Sequence, residues 1–193
     1  MAQPVTARCP FSFASSTRSR KDPTLAKKKK DSRTNAMRAL EARGIAYTTH
    51  TYPAERHSAN EVAALIGLPE GQVFKTLVVL PEGPRPRPVL AILPGDRELD
   101  LKSLASASGH KRLRMAPHKE AERLTGLQVG GISALALLDK RWPVFLDATA
   151  RDWPEIAVSG GQRGINLQLA VDDLVATTAA TVATISRPPA RVG

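Results

Sequence analysis

Two rhythms of apolar residues run along this chain. Residues 72–80, QVFKTLVVL, follow a period of two: Phe74, Thr76, Val78 and Leu80 share one face of an extended strand, and Val73, Lys75, Leu77 and Val79 share the other. The second face is aliphatic except for Lys75. Similar runs of β-branched and aromatic residues predict strands in 45–52 (IAYTTHTY), 89–94 (VLAILP), 111–116 (KRLRMA), 127–133 (LQVGGIS), 143–147 (PVFLD), 155–161 (EIAVSGG), 165–170 (INLQLA) and 180–185 (ATVATI). A period of three to four residues marks the helices. Residues 34–44 place Ala36, Met37 and Leu40 on one face and stop at Gly44. Ser58 and Glu61 form a capping box for a second helix, which turns Val62, Ala63, Leu65 and Ile66 to the core and ends at Gly67. Asp100 caps a third helix that ends at Gly109, Pro117 opens a fourth, and a fifth lies near 171–179. PEGPRPRP at 81–88 reads as an exposed hairpin connection.

Strands and helices alternate irregularly, with several direct strand-to-strand links. The expectation is a mixed α/β (α+β) fold: one compact domain built on a mixed β-sheet with flanking helices. Its expected bounds are 34–186, between a basic N-terminal extension at 1–33 and a frayed tail at 187–193.

Composition narrows the class. The length of 193 residues suits one domain of ordinary size, and 42% hydrophobic with 24% charged residues is usual for a soluble globular protein. No apolar run approaches the roughly 20 residues that span a bilayer, so no membrane partner is expected. Cys9 is the only cysteine, which excludes an intramolecular disulfide and fits a cytoplasmic location. The net charge of +10 is uneven. Residues 1–33 hold nine Lys or Arg against two Asp, or +7, which leaves +3 for residues 34–193. The extension lacks hydrophobic periodicity and reads as disordered. It fits a targeting peptide, a nucleic-acid arm, or sequence upstream of a start near Leu25.

Three features could carry chemistry. Lys75 either snorkels to water or places a fixed cation at a pocket mouth facing an anionic or carbonyl oxygen. In VGGIS, residues 129–133, two glycines end a predicted strand, which suits either a tight turn or a close approach of backbone N–H groups to a ligand. VSGGQRG, residues 158–164, is either a hairpin loop or a phosphate cradle, without the lysine or spacing of a P-loop. The histidines at 50, 57, 110 and 118 lack metal-ligand spacing. No nucleophile elbow, convincing acid pair or cofactor fingerprint is present, so neither metal nor cofactor is expected.

GIAYTTHTY, GLPEGQVFKTLVV, LDLKSLASASG, TGLQVGGIS and VSGGQRGINLQL occur in the order and spacing of a known family. Over roughly residues 35–186 the chain resembles the YbaK/EbsC family of aminoacyl-tRNA deacylases, which is related to the editing insertion domain of bacterial prolyl-tRNA synthetase. The resemblance implies hydrolysis of the ester between a wrongly attached amino acid and the terminal ribose of tRNA. It implies Lys75 as the functional lysine, Gly130 and Gly131 at the aminoacyl carbonyl, and Tyr52 on the pocket wall. Thr76, Ile132, Ser133, Ser159, Gly160 and Asn166 complete the expected substrate contacts. Mischarged tRNA is the expected partner, with prolyl-tRNA synthetase as a second, and the expected state is a monomer or weak dimer. Two departures stand out. Ala134 replaces the proline of the usual GGISP, and Asn166 stands where the best-known cysteine-specific members carry aspartate, so cysteine specificity is not implied.

The mechanism expected from this set rests on positioning and oxyanion stabilisation, because the ester is already activated. The Gly131 and Ile132 N–H groups would bind the carbonyl oxygen, and Lys75 a terminal phosphate or ribose oxygen. Water, the neighbouring ribose hydroxyl and a substrate thiol all remain as the attacking group. The rival readings are a non-catalytic tRNA- or synthetase-associated module and a small-molecule esterase.

Overall fold

The computed structural model describes residues 33–55, 57–84 and 86–189. Expectations for residues 1–32 and for the last four residues lie outside that range. The elements in chain order are α1 (Asn35–Glu41), β1 (Thr48–Thr51), α2 (Ala59–Ile66), β2 (Val73–Pro81), β3 (Val89–Pro94), β4 (Glu98–Leu99), α3 (Leu101–Ser108), β5 (Leu113–Met115), α4 (His118–Thr125), β6 (Val144–Asp147), β7 (Glu155–Ser159), β8 (Ile165–Ala170), α5 (Val171–Thr178), β9 (Thr181–Ala183) and β10 (Ser186–Arg187). Short 3-10 segments lie at Glu70–Gln72, Leu135–Lys140 and Ala148–Asp152. Among the described residues no helix is long and apolar enough to cross a membrane.

The main sheet runs β1-β8-β7-β2-β3-β6-β9, with β5 added to β2. β2 pairs antiparallel with β3 but parallel with β7, and β6 is parallel to both β3 and β9. The sheet is therefore mixed, as expected. β3 is buried at every position, which is why VLAILP shows no alternation.

β2 alternates as its sequence predicts. Phe74, Val78 and Leu80 join the larger core, which α1, α4 and α5 cover through Leu40, Ala121 and Leu174. On the opposite face Val79 packs with Ala91, Leu93 and the α3 residue Leu104, while Val73 packs with Val62 and Ala63 of α2. Two separate helices thus cover this second face, and Lys75 lies between their clusters in the β2 sequence.

The helix starts follow local chemistry. Ser58 Oγ accepts from the Glu61 N–H at 3.2 Å and the Glu61 carboxylate accepts from the Ser58 N–H at 2.6 Å, the reciprocal bonds of a capping box. Asp100 accepts from the Lys102 and Ser103 N–H groups at 2.9 and 3.1 Å.

Two expectations need correction. LQVGGIS is not a strand: the Gly131 N–H donates to the Gln128 carbonyl at 2.8 Å, closing a turn in which Gly130 has φ +91°. That φ suits the third residue of a type II turn, where a side chain is disfavoured. Leu65 is 49% exposed rather than core-facing, so the buried stripe of α2 is only Val62 and Ala63. At the C-terminal end, Ser186 and Arg187 pair with Leu99 and Glu98.

Candidate active site

The site begins with a gap in the sheet. β2 meets β7 only at Val73–Ala157 and Phe74–Val158, and meets β5 only from Val79 onward. Residues 75–78 therefore have no strand along that edge. The Val73 carbonyl accepts from the Gly95 N–H, so odd-numbered residues of β2 turn their backbone groups toward β3. Even-numbered ones turn toward the gap. The Val78 carbonyl there is taken by the Ala116 N–H, which leaves the Thr76 backbone facing the opening. A cleft of about 240 Å³ occupies this opening and reaches both faces of the sheet.

Lys75 lines the cleft but does not swing freely in it. Its Nζ donates to the Gly95 carbonyl at 2.9 Å and to the Arg97 carbonyl at 2.6 Å. Burial pushes its pKa down, and the Asp96 and Glu98 carboxylates oppose that shift. The turn that supplies the carbonyls packs closely on α2: a Cβ on Gly95 would lie 2.6 Å from the Ala59 Cβ. An ammonium has three donors, so one remains for a ligand.

The opposite wall is the glycine turn. Gly130 and Ile132 line the cleft. Gly131 does not, because its α-carbon rests on a neighbouring loop where an added Cβ would meet Arg163 N at 2.8 Å and Gln162 C at 2.9 Å. Its N–H is also committed to Gln128, so the expected donor at Gly131 is occupied, whereas Ile132 takes no part in that turn bond. Arg163 holds the same segment from outside: its Nε donates to the Val129 carbonyl at 2.7 Å. The Val129 N–H donates to Glu122 at 2.9 Å, and Glu122 lies 3.9 Å from the Arg163 guanidinium.

The third wall comes from β7, β8 and the chain after β1. Ser159 and Asn166 are paired across β7–β8, and both are buried and line the cleft. The Tyr52 hydroxyl donates to Asn166 Oδ1 at 3.0 Å. Burial raises the Tyr52 pKa, which keeps the phenol in its donor form. The Tyr52 N–H donates to the Gly164 carbonyl, and a Cβ on Gly164 would lie 2.7 Å from the Tyr52 carbonyl.

Tyr52, Lys75, Thr76, Gly130, Ile132, Ser159 and Asn166 therefore meet at one cleft. Gly131, Ser133 and Gly160 lie behind its walls. Ser133 is 1% exposed with an unpartnered Oγ among the described residues, and a Cβ on Gly160 would strike the Ile165 side chain at 2.7 Å. Sequence reasoning missed His57 and Met115, which also line the cleft. The His57 ring meets Tyr52 edge-on at 6.0 Å, and its Nε2 is buried without a partner among the described residues. Tests of metal-ligand spacing could not find a lone imidazole of this kind. Arg163 stood in a quoted motif, but its target is a backbone carbonyl that sequence does not display.

Residues 53–177 match the aminoacyl-tRNA editing domain family. EbsC of Enterococcus faecalis, named as a candidate Cys-tRNA(Pro)/Cys-tRNA(Cys) deacylase, is 40% identical over 156 residues, covering 80% of this chain and 93% of EbsC. The proline–tRNA ligase of Geobacter metallireducens is 28% identical over 114 residues, 59% of this chain but 19% of the ligase. The crystal structure of a candidate trans-editing enzyme for prolyl-tRNA synthetase superposes with a TM-score of 0.67 at 28% identity, covering 79% of this chain and 95% of the other. The matched span takes in most of the residues that build the cleft, and on that match the chain belongs to the aminoacyl-tRNA editing domain family.

Proposed function

We propose that this chain hydrolyses the ester that joins a wrongly attached amino acid to the 3′ end of a tRNA, acting in trans as a quality-control deacylase. The observation that carries this reading is the meeting of Lys75, the open Thr76 backbone and the Gly130–Ile132 wall across one cleft. An activated ester needs orientation and a place for negative charge more than it needs a strong nucleophile. Lys75 supplies a fixed ammonium with one donor uncommitted, and of the two expected backbone donors the Ile132 N–H remains for the carbonyl oxygen once the turn has taken that of Gly131. Tyr52 and Asn166 line the far wall, where the amino-acid side chain would sit. Because the Tyr52 hydroxyl occupies Asn166 Oδ1, the amide presents its NH₂ donors rather than a negative charge.

The decisive experiment incubates the full chain with a panel of mischarged tRNAs, Cys-tRNA(Pro) included, and follows loss of the amino acid. Hydrolysis of a restricted subset is expected; retention of every amino acid would overturn the reading. A substrate ending in 2′-deoxyadenosine then separates attack by the ribose hydroxyl from attack by water. The similarity to proline–tRNA ligases supports prolyl-tRNA synthetase as a partner, testable by co-purification.

A further inference from the structure

Among the described residues that line the cleft, Lys75 is the only Lys or Arg, so the cleft offers tRNA phosphates a single cation. Lys75, expected at a terminal phosphate or ribose oxygen, gives two of its donors to the Gly95 and Arg97 carbonyls and keeps one. Residues 34–193 carry 19 Lys or Arg against 16 Asp or Glu, a surplus of +3. Residues 110–123, HKRLRMAPHKEAER, carry Lys111, Arg112, Arg114, Lys119 and Arg123 against Glu120 and Glu122, which is also +3. The remainder of the body sums to zero. All of its surplus positive charge therefore lies in one segment of β5 and α4.

This segment is also a wall of the cleft, to which it contributes Met115, Ala116, His118 and Ala121. Its five Lys and Arg residues are exposed. Arg114 is engaged by Glu120 through bonds of 2.7 and 3.1 Å. Arg112 reaches Glu82 only at 3.9 Å, with both side chains mostly exposed, a contact worth little. Lys111, Lys119 and Arg123 form no salt bridge among the described residues. Lys119 and Arg123 are four apart on α4 and share a face. Met115 stands 40% exposed on the cleft wall, an apolar thioether where a polar residue would be usual.

We infer that the β5–α4 strip is the landing surface for the acceptor end of tRNA. Phosphates of the single-stranded 3′ terminus lie against Lys111, Arg112, Lys119 and Arg123, and the terminal base rests on Met115, which delivers the ester to the cleft. A polyanion fits because the body's net positive surplus lies in the segment that forms part of the cleft wall, while the rest of the body carries no net charge. The inference deepens the deacylase reading and rests on it for the ester's position.

The test uses the full chain and a variant combining Lys111→Ala, Arg112→Ala, Lys119→Ala and Arg123→Ala. Binding of uncharged tRNA is measured across a salt series, and hydrolysis is compared on mischarged tRNA and on aminoacyl-adenosine, which has no phosphate. The variant is expected to bind tRNA at least about tenfold more weakly, with a log–log salt slope shallower by roughly 0.7 for each lost contact to single-stranded phosphate. KM for mischarged tRNA rises in step, and hydrolysis of aminoacyl-adenosine is retained. Wild-type tRNA affinity with an unchanged slope would overturn the strip. A second variant, Met115→Ser, should raise KM for both substrates, since both contain the terminal adenine; wild-type KM on both removes Met115 from the surface. Failure of the deacylase reading looks different: the wild-type chain leaves every ester intact, and the tRNA-binding comparison still decides the strip.

Discussion

At the scale of single residues, Lys75 shows how a charge is tolerated on an apolar strand face. An ammonium buried without partners costs several kcal/mol. Here α2 and α3 form separate clusters on that face, and the carbonyls of Gly95 and Arg97 answer the charge. Lys75→Ala should lower deacylation by roughly two to three orders of magnitude, the usual cost of removing one preorganised electrostatic donor. Lys75→Arg should not restore it, because a planar guanidinium cannot fit two carbonyls arranged for a compact ammonium. Single-turnover rates on a mischarged tRNA check this, and either variant turning over at the wild-type rate refutes the role. Asp147 shows the structural counterpart. It is 1% exposed and accepts from the Thr149 N–H and hydroxyl and from the Ile185 N–H. Burial alone would raise its pKa, but these hydrogen bonds outweigh it and hold the carboxyl below its ordinary value. The folded-state pKa is thus depressed. Its stabilisation is fully present above the unfolded pKa of about 4 and is lost as pH falls through the folded value. Asp147→Asn should destabilise the protein by about 1–3 kcal/mol at neutral pH. Urea unfolding of both proteins should show that difference shrinking below about pH 4; a gap independent of pH would contradict the assignment.

At the scale of elements, three loops stack through glycines. Gly164 sits on Tyr52 and Ala54, Gly131 on Gln162 and Arg163, and Gly161 on Ala136. These contacts bring segments distant in sequence close enough to form the cleft walls. Arg163 and Glu122 then grip the two backbone groups of Val129, next to Gly130. Arg163→Ala frees that carbonyl and should lower kcat about tenfold or more, the value of one hydrogen bond to a charged group, with KM for tRNA nearly unchanged. Arg163→Lys should recover little of the loss. A change confined to KM would instead place Arg163 in tRNA binding. The strand assignments show what was legible at this scale and why. β2 and β3 were readable because burial on defined faces imposes apolar residues in order. LQVGGIS was misread because Leu127, Val129 and Ile132 have strand-like chemistry, while the turn is decided by the Gly130 φ and a backbone bond from Gly131 to Gln128. Leu65 misled for a related reason: helical periodicity identifies an apolar stripe but not how much of it a neighbour covers. Candidate cleft residues were readable where the resemblance carried them. The partners of Lys75 were not, because they are carbonyls that side-chain patterns do not report.

At the scale of the whole molecule, the described body has its own core. Among the described residues, the members of all three hydrophobic clusters lie between Ala36 and Ile185, C-terminal to residues 1–32. Those residues nevertheless carry most of the charge, since 1–33 hold +7 of the net +10. On the proposed reading, fold and chemistry belong to the body, and long-range attraction to a polyanion belongs largely to the extension. Deleting residues 1–32 should therefore leave the far-ultraviolet dichroism, the Tm within a few degrees, and the rate on aminoacyl-adenosine as they are in the full chain. It should weaken tRNA binding and make it less dependent on salt, because fewer counterions are released. The loss should be largest at low ionic strength and should fade as salt rises, since screening shortens the reach of exposed charges to about 8–10 Å near physiological ionic strength. Neutralising the β5–α4 strip should act differently: its contacts are set beside the cleft, so the KM penalty persists in the truncated protein. A truncated chain that loses its rate on aminoacyl-adenosine would show that the extension takes part in chemistry. A truncated chain that loses all tRNA affinity, with no further effect of the strip variant, would leave the extension as the whole of the tRNA-binding surface.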